Sequence, residues 1–394
     1  MQTAWNFATE QSWDIVIAGG GLAGLSLAAE LSAPEFAHLR VLVIEPRTSY
    51  LRDRTWSYWS VSGALPQRWQ GLAKTLWRKW RVSDASKNLL CESRTAYAML
   101  PADAFYEQAL AQIRQASHIQ FKQGYSLHNF RSAAQGLMLE MLGGESLRCG
   151  CLIDTRPPTV QSPQEWVQHF VGWEVQTQEA CFEPECMDLM AFDQQTKGLH
   201  FVYCLPYSPH SALVETTWIS RAQHRPDYEA EIKQALLSRF KCEHYEITFR
   251  EQGALPLWPA QTSPQPNVIK LGRAGGALRA STGYAFTATL WQAQYVAKSL
   301  QHHLSQSISL QNWIPVLPTI SRLDDWMDRV LFRVLEDDWP AAPGYFLAMF
   351  EHVAPDAMVR FLSGRSTWVE RLAVMNSLPK LRFLKAAFGG EKLE

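Results

Sequence analysis

The sequence predicts an α/β chain in three parts: a parallel sheet wrapped by helices, a separate antiparallel sheet, and a helical C-terminal region. Three observations carry this. Apolar runs at Ile15–Ile17 and Val41–Ile44 flank a helix-like stretch from Leu22 to Leu31, the pattern of a βαβ unit whose strands are buried on both faces. Period-two alternation marks Phe201–Pro206 and Ala212–Ile219, as expected of strands with one face on a core. From residue 305 onward the chain becomes amphipathic and helical, with Leu331-Phe332-Arg333-Val334-Leu335 and Phe346-Leu347-Ala348-Met349-Phe350.

The βαβ unit carries chemistry in its turn. Gly19, Gly21 and Gly24 follow the first strand with GxGxxG spacing, and Glu45 ends the next strand 21 residues after Gly24. Gly19 permits a tight turn, Gly21 lets the backbone approach a pyrophosphate, and Gly24 lets helix pack on strand. Glu45 is placed to accept from a ribose hydroxyl, and the phosphates would rest on the helix N-terminus. A second strand, Val268–Leu271, feeds another glycine turn with Gly272, Gly276, Thr282, Gly283 and Tyr284, which opens a helix from about Ala285 to His303. Two backbone nests far apart in sequence can grip one dinucleotide at both ends, which favours FAD over a loosely held nicotinamide.

Between these turns the elements follow in order. Pro46–Trp59 reads as a loop crossing toward the cofactor. Its Arg54, like Arg273 beside the second turn, suits pyrophosphate or another negative charge, or equally a solvated surface. Strands from Trp77 to Cys91 lead to a helix ending near Gln115, and Leu152–Asp154 is a buried strand stopped by Pro157-Pro158. Residues 166–250 supply one antiparallel sheet with a helix near Tyr228–Phe240. On this pattern the nucleotide unit takes residues 1–75, 101–160 and 259–304, the second sheet takes 76–100 and 161–258, and the helical region takes 305–394.

Bulk properties narrow the function. A net charge of −1 gives no pull on nucleic acid, and the 47% hydrophobic content excludes a disordered chain. Seven cysteines, an odd number without CxxC pairing or metal-type spacing to histidine, read as reduced buried thiols, and no metal is expected. Met1–Trp13 lacks the pattern of a secretory signal and reads as a short flexible leader, so a cytoplasmic setting is expected. No run of 18 apolar residues occurs, so no membrane span is expected. Sixteen tryptophans and the basic end at Lys380, Arg382 and Lys385 fit either a large core or a π-rich cavity with a membrane-facing rim.

Taken in order, these segments resemble the lycopene cyclase family of flavoproteins. The matching pieces are Gly19 to Glu45, Arg54-Thr55-Trp56-Ser57-Tyr58-Trp59, Phe201-Val202-Tyr203-Cys204-Leu205-Pro206 with Ala212 to Thr217, Glu251-Gln252-Gly253-Ala254-Leu255-Pro256, Ser281-Thr282-Gly283-Tyr284 and Arg360–Leu372. The resemblance implies a Rossmann-like FAD-binding domain of the glutathione-reductase and hydroxylase type, with an antiparallel substrate sheet. It also implies that the ends of lycopene and related linear carotenes close into β-rings without net redox change. Reduced FAD would take part, primed by NAD(P)H, at the inner face of the cell membrane. Two positions depart from the family: many members have a second acid where this chain has Thr216, and His-Pro where it has Arg279-Ala280.

Protonating an alkene, a very weak base, needs a neutral carboxylic acid in a dry site. Glu215, among Leu213, Val214, Trp218 and Ile219, suits that role, because desolvation raises a carboxyl pKa. A strand glutamate is otherwise most often exposed and paired. Trp56, Tyr58, Trp59 and Tyr284 are candidates to line the substrate and stabilise a cation with their π faces. A flavin monooxygenase or prenyl reductase acting on an apolar isoprenoid is the alternative on the same fold. Asp154-Thr155 and Gly272-Arg273 depart from the Asp-Gly and Gly-Asp pairs of hydroxylases. A non-catalytic carotenoid carrier retaining FAD fits the same residues.

Overall fold

The computed structural model describes residues 12–258, 264–306, 309–310 and 313–389. Of the stretch read as a leader, Ser12 and Trp13 begin the first strand, and residues 1–11 lie outside the described residues.

The expected βαβ unit comprises β1 (Ser12–Ala18), α1 (Leu22–Leu31) and β2 (Val41–Glu45). Next, β3 (Thr55–Trp59), β4 (Thr75–Ser83) and β5 (Asn88–Pro101) leave for a second sheet. Then α2 (Ala102–Gln115) and β6 (Ile119–Gln123) return to the first, followed by a meander of β7 (Leu127–Ser132), β8 (Leu137–Met141) and β9 (Ser146–Asp154). The second sheet is completed by β10 (Trp166–Thr177), β11 (Cys186–Asp193), β12 (Gly198–Ser208), β13 (Ser211–Arg221) and, after α3 (Tyr228–Ser238), β14 (Tyr245–Pro256). Finally β15 (Val268–Lys270) and α4 (Phe286–Ser305) rejoin the first layer. The chain ends in α5 (Arg322–Asp337), α6 (Ala342–His352), α7 (Pro355–Leu362), α8 (Trp368–Ser377) and α9 (Lys380–Phe388).

In the first sheet β6, β2, β1 and β9 run parallel in that order, β15 adds to the end of β9, and β8 and β7 extend it antiparallel. The chain leaves β1 toward β2 on one side and later returns as β9 on the other. The crevice beyond the carboxyl end of β1 is therefore a switch point, where open α/β sheets bind ligands. Nine of the ten residues of α1 are buried, because it is packed between α2 and α4 as well as on the sheet. Gly24 makes this packing possible: a Cβ there would lie 1.8 Å from the Gly19 carbonyl oxygen.

The second sheet has the order β14-β10-β13-β12-β11-β4-β5-β3. It departs from expectation twice. The pair β4 and β11 is parallel within an otherwise antiparallel sheet, because the two strands come from separate excursions. Thr55–Trp59, expected in a loop, is the edge strand β3, with Ser57 opposite Met99 of β5. Its alternating Thr, Trp and Tyr suit a pleated surface better than a loop. The edges of this sheet approach each other. The Thr55 N–H on β3 donates to Glu251 Oε2 on β14 at 2.6 Å, and Arg52 pairs with Glu174 of β10 at 2.7 Å.

The tryptophans divide mainly into core: Trp69, Trp77, Trp80 and Trp173 are among the largest fully buried side chains. Helices α5 to α7 add Phe332, Phe346, Met358 and Phe361 to the core that holds Trp77 and Trp80. Six cysteines are buried, Cys181 is half-buried, and all seven are free thiols. Helices α8 and α9 differ from their neighbours. They bury only Val374 between them and expose Trp368, Val369, Leu372, Leu381, Leu384 and Phe388.

Candidate cofactor cradle and acid site

The two glycine turns meet in space. Gly19 takes φ +108°, and Gly272 takes φ +71° with no room for a side chain, since a Cβ there would lie 2.8 Å from that of Ala23. Gly272 donates its N–H to Gln292 Oε1 of α4 at 3.0 Å. Gly21, the N-cap of α1, faces open space: a Cβ would find only Arg47 Nη2, at 4.0 Å. Glu45 is buried at the rim and accepts from the Gly20 N–H at 2.6 Å. Arg47, to which the sequence reading gave no role, spans the turn, donating to Glu45 at 2.6 Å and to the Gly20 carbonyl at 3.0 Å. Its position two residues after the ribose-type acid is the signal that could have found it.

Arg54 is exposed and donates to Asp53 at 3.0 Å. Arg273 is different. Its Nη1 is buried without a hydrogen-bond partner among the described residues, and burial, with Arg54 nearby, lowers it to about 10. A buried guanidinium with an unpartnered nitrogen, close to a second one, suits an anion there. The residues present thus fit a dinucleotide: open backbone at Gly21, an acid at the ribose position, and an unsatisfied cation beside the second turn.

Gly276 takes φ +76° and Gly283 φ +68°, and Thr282 Oγ1 accepts from the Tyr284 N–H at 3.3 Å, so this stretch is a chain of tight turns. Gly283 packs on β10, where a Cβ would meet Gln168 Oε1 at 2.1 Å. Arg279, the departure from His-Pro, is buried. It donates to the Phe361 carbonyl at 2.7 Å and reaches Asp328 at 3.5 Å, tying the turn to α7 and α5.

Beside the turn lies a cleft of about 330 Å³ whose lining includes Ser57, Tyr58, Trp59, Tyr284, Phe286 and Leu362. Tyr58, Trp59 and Tyr284 therefore share one cavity wall. Trp56 does not line it: the ring stacks on Phe286 at 5.4 Å and meets Phe105 edge-on. Behind the wall, the Tyr203 hydroxyl lies 3.2 Å from that of Tyr97, which lies 3.5 Å from that of Tyr284. Burial holds all three phenols well above their usual range.

Glu215 stands on β13 directly opposite Tyr203 on one side and Gly172 on the other. Across Gly172 stands Glu251 of β14. All four positions share one face of the sheet, and the missing side chain at Gly172 gives the two carboxyls room: a Cβ there would meet Glu251 Cγ at 3.2 Å. Glu215 accepts from the Thr217 hydroxyl at 2.6 Å. Burial first, and then the Glu251 carboxylate, push Glu215 up to about 8, while Thr217 pulls the other way. Burial pushes Glu251 up as well, to about 7, against the opposing pull of the Thr55 N–H, Arg52 and Arg54. Thr216 faces the opposite side of the sheet, where its hydroxyl donates to Glu231 of α3 at 2.6 Å and sits 2.7 Å from His200 Nε2. An acid at position 216 would join that network rather than Glu215. The second carboxyl beside Glu215 comes from another strand, which no local pattern discloses.

Among the described residues no three His, Cys, Asp or Glu side chains group to hold a metal, and no helix is long and apolar enough to cross a membrane.

Known proteins share both fold and sequence with this chain. A geranylgeranyl bacteriochlorophyll reductase-like protein from Thermoplasma acidophilum superposes with a TM-score of 0.64 at 11% identity, covering 95% of this chain and 98% of that one. The flavin-dependent brominase Bmp2 does so with a TM-score of 0.62 at 12% identity, over 93% of this chain and 99% of that one. The chain shares the fold of these two proteins. In sequence, a lycopene beta-cyclase of Pantoea ananas is 23% identical over 95% of this chain and 97% of its own length. One of Pseudescherichia vulneris is 24% identical over 73% and 74%. The model of the lycopene cyclase protein family matches residues 14–388, and the chain belongs to that family.

Proposed function

We propose that this protein is a lycopene β-cyclase that binds FAD in the cradle between its two glycine turns and converts lycopene to β-carotene without net redox change. The observation that carries the reading is Glu215, an acid kept protonated near neutral pH on the same sheet face as the tyrosine cluster beside the aromatic cleft. Its carboxyl gives a proton to the terminal alkene, producing a tertiary cation that the neighbouring double bond attacks. Loss of a ring-adjacent proton then ends the reaction. The tyrosine rings stabilise positive charge with their π faces, and the aromatic lining limits the water that would quench the cation.

Gly19, Gly21, Glu45, Arg54, Gly272, Gly276, Thr282, Gly283, Tyr284 and Arg273 would hold the cofactor, with Gly24 packing α1 onto β1 beneath it and Arg47 added on the geometry above. When bound and reduced by NAD(P)H, the flavin supplies negative charge near the cation. Arg273→Met is expected to weaken FAD binding about 10-fold or more, read by fluorescence titration of apoprotein. An unchanged affinity removes Arg273 from the site.

Expression in lycopene-accumulating cells tests the reaction. β-Carotene by chromatography is expected; unchanged lycopene, or a hydroxylated or saturated product, overturns the reading and favours a carrier, a monooxygenase or a reductase.

Helices α8 and α9 support docking on the inner face of the cell membrane. In residues 365–389 Arg371 and Arg382 are paired with Asp324 and Asp338, which leaves Arg365, Lys380 and Lys385 beside the exposed Trp368, Val369, Leu381 and Phe388. The loop before α8 also rims the cleft, through Gly364 and Arg365, so an apolar substrate would pass from lipid to site without crossing water. The double variant Leu381→Glu, Phe388→Glu should lower partition onto phosphatidylglycerol-containing vesicles about 10-fold or more in flotation assays, since each side chain contributes roughly 1.5–3 kcal/mol when buried in lipid. Unaltered partition would place the membrane contact elsewhere.

A further inference from the structure

We infer that Glu251 is the positioning partner of Glu215: of the two carboxyls that face each other across Gly172, it is the one that takes the negative charge of the pair and so keeps the proton on its neighbour. This rests on the cyclase reading for its use but on geometry for its existence.

The two groups stand in register on one sheet face, separated only by a residue without a side chain. Their surroundings are unequal. Glu251 is buried, its Oε2 receives the Thr55 N–H at 2.6 Å, and Arg52 and Arg54 stand near it. Arg52 itself is paired with Glu174, and the Tyr207 phenol feels the Glu251 charge. Among the described residues no cation acts on Glu215. Its neighbours are the Thr217 hydroxyl, Tyr203 and Glu251 itself. An amide N–H donor and nearby guanidiniums stabilise an ionised carboxylate, so the negative charge settles on Glu251 and the shared proton on Glu215. The pair resembles the like-charge carboxyl dyads that hold one proton between them, here polarised by unequal hydrogen bonding.

In the reaction the proton moves from Glu215 to the alkene, leaving two carboxylates and one substrate cation. The ring proton released at the end restores the single proton on the pair. Protons balance over the turnover, no oxidant or reductant is consumed, and the doubly ionised pair stabilises the cation that exists between the two transfers.

The test is Glu251→Gln, which keeps the size of the side chain and an oxygen for the Thr55 N–H. Two readouts are taken on the FAD-loaded full chain. The first is the infrared carbonyl band of the protonated Glu215, identified by its loss in Glu215→Gln and followed with pH. Its midpoint should fall by about one pH unit or more in Glu251→Gln, and Glu251→Asp should restore part of the shift. The second is lycopene turnover, whose alkaline limit should fall with the band. An unmoved midpoint overturns the pairing, as does a fall in turnover that is uniform with pH, which marks a merely structural role. A shifted midpoint in a protein that makes no cyclic carotene keeps the pair and rejects the cyclase reading instead.

Discussion

Glu215→Gln is expected to leave a folded, flavin-loaded protein whose cyclisation of lycopene falls at least about 100-fold, the usual scale for loss of a general acid. The amide has nearly the shape of the carboxylic acid and still accepts from Thr217, but it cannot protonate an alkene. The same variant should be more stable than the parent in mild alkali. Glu215 is raised from an ordinary 4.5 to about 8, so between those values the folded chain binds a proton that the unfolded chain releases. Native stability therefore falls as pH rises through that window and levels off above it. Glutamine removes the dependence, for a gain of about 1–3 kcal/mol at pH 8 by chemical denaturation. Product formation by the variant would reject the acid assignment, and an equal loss of stability at all pH would reject the burial argument.

Gly24→Ala should have the largest effect on the fold. The added methyl would lie 1.8 Å from the Gly19 oxygen and 3.2 Å from Ile17 Cγ2, so α1 must move off β1. That helix is buried on all sides and cannot move alone; a loss above about 3 kcal/mol is expected, with little soluble or flavin-bearing protein. Gly21→Ala is the contrast. Its methyl enters open space with φ −85°, so the protein should fold and keep its melting temperature while losing affinity for FAD. If Gly21→Ala loses stability as Gly24→Ala does, the division between packing glycine and cofactor glycine is wrong.

The glycines and Glu45 were legible in the sequence because their roles depend on spacing within one βαβ unit, where chain geometry fixes what can meet. Glu215 was legible because a charged residue in an apolar strand stands out. Glu251 was in view as part of a family motif, yet its meaning needs the register of β13, β10 and β14, and that register depends on hairpins and bulges not written in any one segment. The role of Arg279 was hidden for the same reason, since its partners Phe361 and Asp328 lie in helices 82 and 49 residues away. Thr55–Trp59 was misplaced in a loop because an edge strand of five residues is too short to show its period above the signal of its aromatics.

The hydrogen bond from Thr55 to Glu251 joins positions 196 apart along the chain. During synthesis, β3 leaves the ribosome long before the strand that will sit across from it exists. Its rim and that of the growing sheet must wait, unpaired, until β14 arrives. Such late closure predicts slow maturation and a nascent form prone to stick to its own kind. A ribosome-stalled chain ending before residue 245 would thus carry the proton donor but not its counterpart, and chaperone dependence should end only when β14, the last strand of the second sheet, has docked.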